Sequence, residues 1–130
     1  NLNIDKIKEA TKYLIGTHNF KGFTKVDEEK ETYVRTIYDI ELNIEKNILT
    51  LKFIGNGFLR YMVRNIVGTL INIGENKFNP EYIKKPLPIN LRVRIFFSIS
   101  KQCLLQIKLY SLILNYIVFL FLLEIIFYIH

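Results

Sequence analysis

The sequence predicts an α+β fold, an antiparallel hairpin or sheet packed by a central buried helix and an N-terminal helix. Three observations predict it: a capped amphipathic stripe over Asn3 to Gly16, a two-residue alternation from Thr32 to Phe53, and an apolar run from Phe58 to Ile73 closed by Gly74. With 130 residues, half of them hydrophobic, one small domain can bury a core without help from disulfides or metal.

The first helix is expected to start at Asn3 as N-cap, with Asp5 in its first turn, Ile4, Ile7, Ala10 or Thr11 and Leu14 on one stripe, and Gly16 as its stop. Thr17 to Glu31 has no clean period and reads as a long loop, its charged cluster Asp27 to Glu31 a solvated tip. From Thr32 to Ile44, Val34, Thr36, Tyr38, Ile40, Leu42 and Ile44 alternate with polar residues and predict a half-buried strand. Glu45, Lys46 and Asn47 form a turn into a second strand with Leu49, Leu51 and Phe53 on its apolar face. Gly55 and Gly57 break that strand, and the helix from Phe58 is apolar on most sides, so it belongs in a core. Pro80 to Lys85 predicts one or two further helical turns, with Pro86 ending them.

Composition shifts after Pro88, dividing the chain into a half-domain over 1–88 and a hydrophobic tail over 89–130. In Leu109 to Ile129 only Ser111, Asn115 and Glu124 are polar, a length that at about 1.5 Å per residue would cross a bilayer core of about 30 Å. Three readings stand open for it: an aberrant product of a shifted frame, a membrane anchor, or a buried helix. Glu124 counts against the anchor, since a carboxylate in a span must be paired or near the interface. The net charge of +6 favours phosphates or anionic lipid, and the lone Cys103 excludes a disulfide framework and points to a cytoplasmic setting. A start at Asn1 and not methionine suggests a fragment.

The stretch richest in chemistry is Gly57-Phe58-Leu59-Arg60-Tyr61-Met62-Val63-Arg64-Asn65-Ile66-Val67-Gly68. Arg60 and Arg64 stand one helical turn apart on a helix expected to be buried, where an unpaired guanidinium costs several kcal/mol, so an acidic partner is expected; two surface arginines beside an apolar stripe are the other reading. The stretch resembles the G-x-F-L/V-x-x-M-V-R-N-I-V-G signature of TruA-type tRNA pseudouridine synthases. Gly16-Thr17-His18-Asn19-Phe20 resembles that family's G-x-H-D-F turn, and Val34-Arg35-Thr36-Ile37 its R-T-I strand, in the same order. The resemblance covers about Leu2 to Lys85, the C-terminal half of the catalytic region. Asn19 replaces the usual aspartate, keeping its shape and hydrogen-bonding capacity. The family's later K-D-R segment and G-L-Y-L strand do not follow Lys85. Its catalytic aspartate lies in an R-T-D-x-G-V motif, whereas the aspartates here, Asp5, Asp27 and Asp39, have no such context.

The resemblance implies isomerisation of uridine to pseudouridine in the tRNA anticodon stem-loop, on a flipped base and without a cofactor. It implies tRNA, an N-terminal catalytic half and a second copy in a homodimer as partners, with a membrane only if the tail is a genuine anchor. Arg64 would pair with the catalytic aspartate, with Val63, Met62 and Phe58 walling the pocket. Arg60, Lys52 and Arg35, with Lys21 or Lys25, are candidates for phosphate contacts. His18, Asn19 and Phe20 would form a structural turn, and Tyr61 would pack. Alone, the chain is expected to be inactive. A non-catalytic RNA-binding or dimerisation module and a small membrane-anchored protein are the alternatives.

Overall fold

The computed structural model describes residues 2–24, 32–46, 48–85, 106–112 and 120–128, the last two segments by their backbone. Asn1, Lys25, Asp27 to Glu31, Asn47, Pro86, Pro88, Cys103, Asn115 and Ile129, named above, lie outside the described residues.

Helix α1 spans Ile4–Lys12, and Asn3 caps it by accepting a hydrogen bond from the Lys6 amide at 3.1 Å. It ends earlier than its apolar stripe: the amides of Tyr13 and Leu14 bond back to Ala10 and Thr11, and Gly16, at φ 103°, turns the chain into a strand. The expected loop after Gly16 therefore begins as regular secondary structure. Strand β1, Gly16–Asn19, pairs antiparallel with β2, Val34–Glu45, setting His18 opposite Arg35, and a short 3-10 turn follows at Lys21–Phe23. An edge strand with three of its four residues exposed carries no alternation to read.

Strand β3, Ile48–Gly55, pairs with β2 and buries Leu49, Leu51 and Phe53 completely, as the alternation predicts. In β2 the predicted single stripe is split. The register shifts between Ile37 and Asp39, so Ile37 is fully buried, Tyr38 is 48% exposed, and Ile40 and Leu42 resume on the inner face. One extra residue exchanges the two faces, which is why Val34 and Thr36 do not share a side with Ile40.

Helix α2, Met62–Gly74, covers that inner face with Ile66, Val67, Leu70 and Ile73 all fully buried, and α1 lies beside it with Ile7 against Gly74. It begins at Met62 and not at Phe58, because Tyr61 takes left-handed backbone angles, φ 62° and ψ −1°. A 3-10 turn at Pro80–Lys84 closes the layer with Ile83 in the core.

The tail does not form the long helix its apolar run suggests. Strands β4, Gln106–Leu112, and β5, Leu120–Tyr128, extend one antiparallel sheet in the order β1-β2-β3-β5-β4. The edge of β3 is thereby paired. Hydrophobicity sets no period by itself, and residues such as Ile, Phe and Tyr suit a strand beside an open edge as well as a helix. Register places Glu124 opposite Lys52 on one side and Lys108 on the other. Among the described residues no helix is long and apolar enough to cross a membrane.

Candidate functional site

The three sequence motifs meet at the amino end of α2. Asn65, buried in the first turn, donates from Nδ2 to the Phe23 carbonyl at 2.6 Å, and the Thr24 hydroxyl donates to the Arg60 carbonyl at 2.8 Å. These bonds clamp the segment after β1 onto the start of the helix. On the other side, Asn56 grips β2 twice: its amide donates to the Thr36 carbonyl at 3.0 Å and its Oδ1 accepts from the Thr36 amide at 2.9 Å. Gly55 allows this approach, since a Cβ there would stand 2.6 Å from the Thr36 carbonyl oxygen. The hydroxyls of Thr17 and Thr36 join β1 to β2 at 2.8 Å.

Within this frame Arg60 is exposed and Arg64 half-buried. The expectation of two arginines buried on one helical face is therefore corrected: Arg60 precedes the helix, and neither guanidinium carries the full desolvation cost. Both lie over one ring. The Arg60 Cζ is 5.1 Å and the Arg64 Cζ 6.0 Å from the Tyr61 centroid, and Arg60 Nη2 approaches the Tyr61 hydroxyl at 3.4 Å. The first turn of α2 has no acidic residue and its N-cap side chain does not cap the helix amides, so the positive end of the helix adds to the two guanidiniums. Chemically this end suits a carboxylate or a phosphate.

The remaining candidates fall in distinct places. Arg35 sits beside Gly57, with Nη1 donating to the carbonyls of Val34 at 2.7 Å and Thr32 at 3.3 Å. Lys52 faces away from the helices and pairs with Glu41 at 3.0 Å. Phe58 is half-buried near Gly55, while Met62 and Val63 are 0% and 4% exposed and pack as core. His18 Nε2 bonds the Ile15 carbonyl at 2.9 Å and its ring meets Phe20 edge-on. Asn19 accepts from the Lys21 amide at 3.0 Å through Oδ1, a bond that needs no charge, and Lys21 lies 5.4 Å over the Tyr33 ring. Among the described residues no three His, Cys, Asp or Glu side chains gather as a metal would require.

A clamped turn, a bulged R-T-I strand and an arginine-bearing helix start agree with the comparison to known families: the model for tRNA pseudouridine synthase matches residues 10–108. The chain belongs to the tRNA pseudouridine synthase family. Over 86 residues it is 46% identical to tRNA pseudouridine synthase A 1 of a Bacillus cereus strain, covering 66% of this chain and 35% of that protein. It is 44% identical over 82 residues to tRNA pseudouridine synthase A of Chlamydia trachomatis, covering 63% and 31%. With the Clostridium kluyveri enzyme of the same name it shares 43% over 83 residues, covering 64% and 34%. The chain thus spans about a third of the length of these curated relatives.

In this pseudouridine synthase segment, sequence reasoning passed over three residues that build the site: Thr24, Asn56 and Asn65. A polar residue inside an apolar helix was the available signal for Asn65, since a buried amide must find a partner. Thr24 and Asn56 have no such signal, because each acts across a distance in sequence that only the fold closes.

Proposed function

We propose that the chain is the tRNA-holding, arginine-bearing half of a pseudouridine synthase acting on the anticodon stem-loop in the cytoplasm, with residues 1–88 as its half-domain. The pairing of Arg60 and Arg64 around Tyr61 at the uncapped start of α2 is the observation that carries this reading. The reaction detaches a uracil from its ribose by breaking a C–N bond, turns it, and rejoins it through carbon, with one proton moving from carbon to nitrogen. Atoms and charge balance within the substrate, so the protein's work is to hold a flipped base, a ribose and a carboxylate in line. Arg64 would take the carboxylate bidentately, keep it ionised and fix its direction. Arg60, Arg35 and Lys52 would meet phosphates, and Phe58 with the backbone at Met62 and Val63 would border the base.

The reading is supported by the sequence context of Asp5, Asp27 and Asp39, none of which stands in an R-T-D motif. Asp5 sits in the first turn of α1, and Asp39 accepts from its neighbour's amide at 2.8 Å. On this reading the chain by itself binds tRNA without isomerising it, and the carboxylate belongs to the N-terminal catalytic half. Incubating the full chain with unmodified tRNA should produce no pseudouridine, and any detectable product would overturn the assignment of the carboxylate. In gel shifts, log Kd should rise steeply with log salt, and Arg60→Gln should lower that slope by about 1 while the protein stays folded, its melting temperature falling by no more than a few degrees. Absence of binding at low salt would remove tRNA from the reading.

A further inference from the structure

We propose that Tyr61 is a positioning residue whose ring fixes the direction of the Arg64 guanidinium, and with it Arg60, at the start of α2. The inference deepens the function proposed above and rests on it for its catalytic meaning, though the geometry stands independently. Tyr61 is an aromatic residue at φ 62°, where a bulky side chain is rare because its Cβ crowds the following carbonyl. Such a conformation persists only where the surroundings hold it, and it is most often found where a site needs it. Here its effect is specific. Were residues 60 and 61 helical, Arg60 and Arg64 would be stacked neighbours on one face and would repel. The left-handed turn takes Arg60 off the helix and sets the ring where both cations lie within about 6 Å of its centroid, the range of a cation–π contact. The backbone is held there from both sides: Thr24 bonds the Arg60 carbonyl, and the Tyr61 carbonyl accepts from the Asn65 amide at 3.0 Å. A ring needed only for packing would be turned into the core, yet Tyr61 is half-exposed between two charges.

The test follows the Arg60 and Arg64 Nε–Hε resonances in the full chain. In the parent both should carry a ring-current shift, which Tyr61→Phe keeps and Tyr61→Leu abolishes while the methyl spectrum of the core stays folded. An Arg64 resonance that ignores Tyr61→Leu overturns the proposal. Should the leucine variant fail to fold, Tyr61→Asn, which tolerates the same backbone angles, is read in the same way. A binding arm adds function: Tyr61→Leu should weaken tRNA affinity about 2–5-fold with the salt slope unchanged, because no charge is removed, and Tyr61→Phe should restore it. Unchanged affinity in Tyr61→Leu, in a parent that binds tRNA, also counts against it. If the parent binds no tRNA, the functional reading falls, and the resonances still decide the role of the ring.

Discussion

The two ends of α2 differ in what organises them. At its carboxyl end the Asn76 amide bonds the Ile73 carbonyl at 3.0 Å and the Lys77 amide the Asn72 carbonyl at 2.9 Å, with Asn76 left-handed at φ 62°. This is the ordinary closed end of a helix, made by a residue that tolerates the angle. The Gly74 carbonyl accepts from the Asn3 amide at 2.7 Å, so α1 seals what remains. At its amino end the left-handed residue is a tyrosine, the acids are missing from the first turn, and two arginines crowd in. One end is closed in the least costly way; the other accepts strain and positive charge. Such a departure from local preference marks a functional end.

Glycine substitutions should break this comparison most sharply. Gly55→Ala drives a Cβ to 2.6 Å from the Thr36 carbonyl oxygen, a backbone atom already bonded by the Asn56 amide. The bulge must open, and we expect a loss of about 2–3 kcal/mol in denaturant unfolding. Gly74→Ala meets Ile7 Cδ1 at 2.7 Å, but that atom ends a side chain that can turn, and alanine returns up to about 1 kcal/mol of helix propensity. Its net change should stay within about 1 kcal/mol. Equal losses at both glycines would mean that the bulge is no more rigid than the helix contact.

Next in size is Asn65→Ala. It removes the 2.6 Å bond to the Phe23 carbonyl and leaves that buried acceptor unmet, at a cost of about 1–3 kcal/mol. Because the same bond clamps Phe20 to Thr24 onto α2, amide exchange in that segment should rise more than exchange in β3. Uniform acceleration across both would show that Asn65 only supports the core.

Much of this architecture was legible in the sequence. Asn3 as N-cap, the alternation of Leu49, Leu51 and Phe53, and the apolar α2 closing at Gly74 follow from local chemistry, and the structure keeps them. The bulge at Tyr38 was not, because an inserted residue changes which face a side chain takes without changing which residues are apolar. Nor was the start of α2: Phe58 to Tyr61 are apolar or long-chained, and only the clamp from Thr24 and Asn65 explains why the helix waits until Met62. The tail misled for a third reason. A run apolar on every side carries no period, so its strands depend on the open edge of β3, which lies far away in sequence. Of the site, the arginine-bearing helix start and the turn motif were readable, while Thr24 and Asn56 depend on contacts made by the fold.

The smallest expected effect tests the two left-handed residues against each other. Asn76→Ala takes away a side chain suited to φ 62° and should cost about 1 kcal/mol. Tyr61→Asn does the opposite to its backbone, relieving strain of about the same size, while it gives up two cation–π contacts worth about 0.5–1 kcal/mol each where solvent reaches them. The gains and losses nearly cancel, so stability should shift by less than in Asn76→Ala. A loss above about 2 kcal/mol at Tyr61 would make its ring a support of the fold, and the two ends of α2 would then differ in degree and not in purpose.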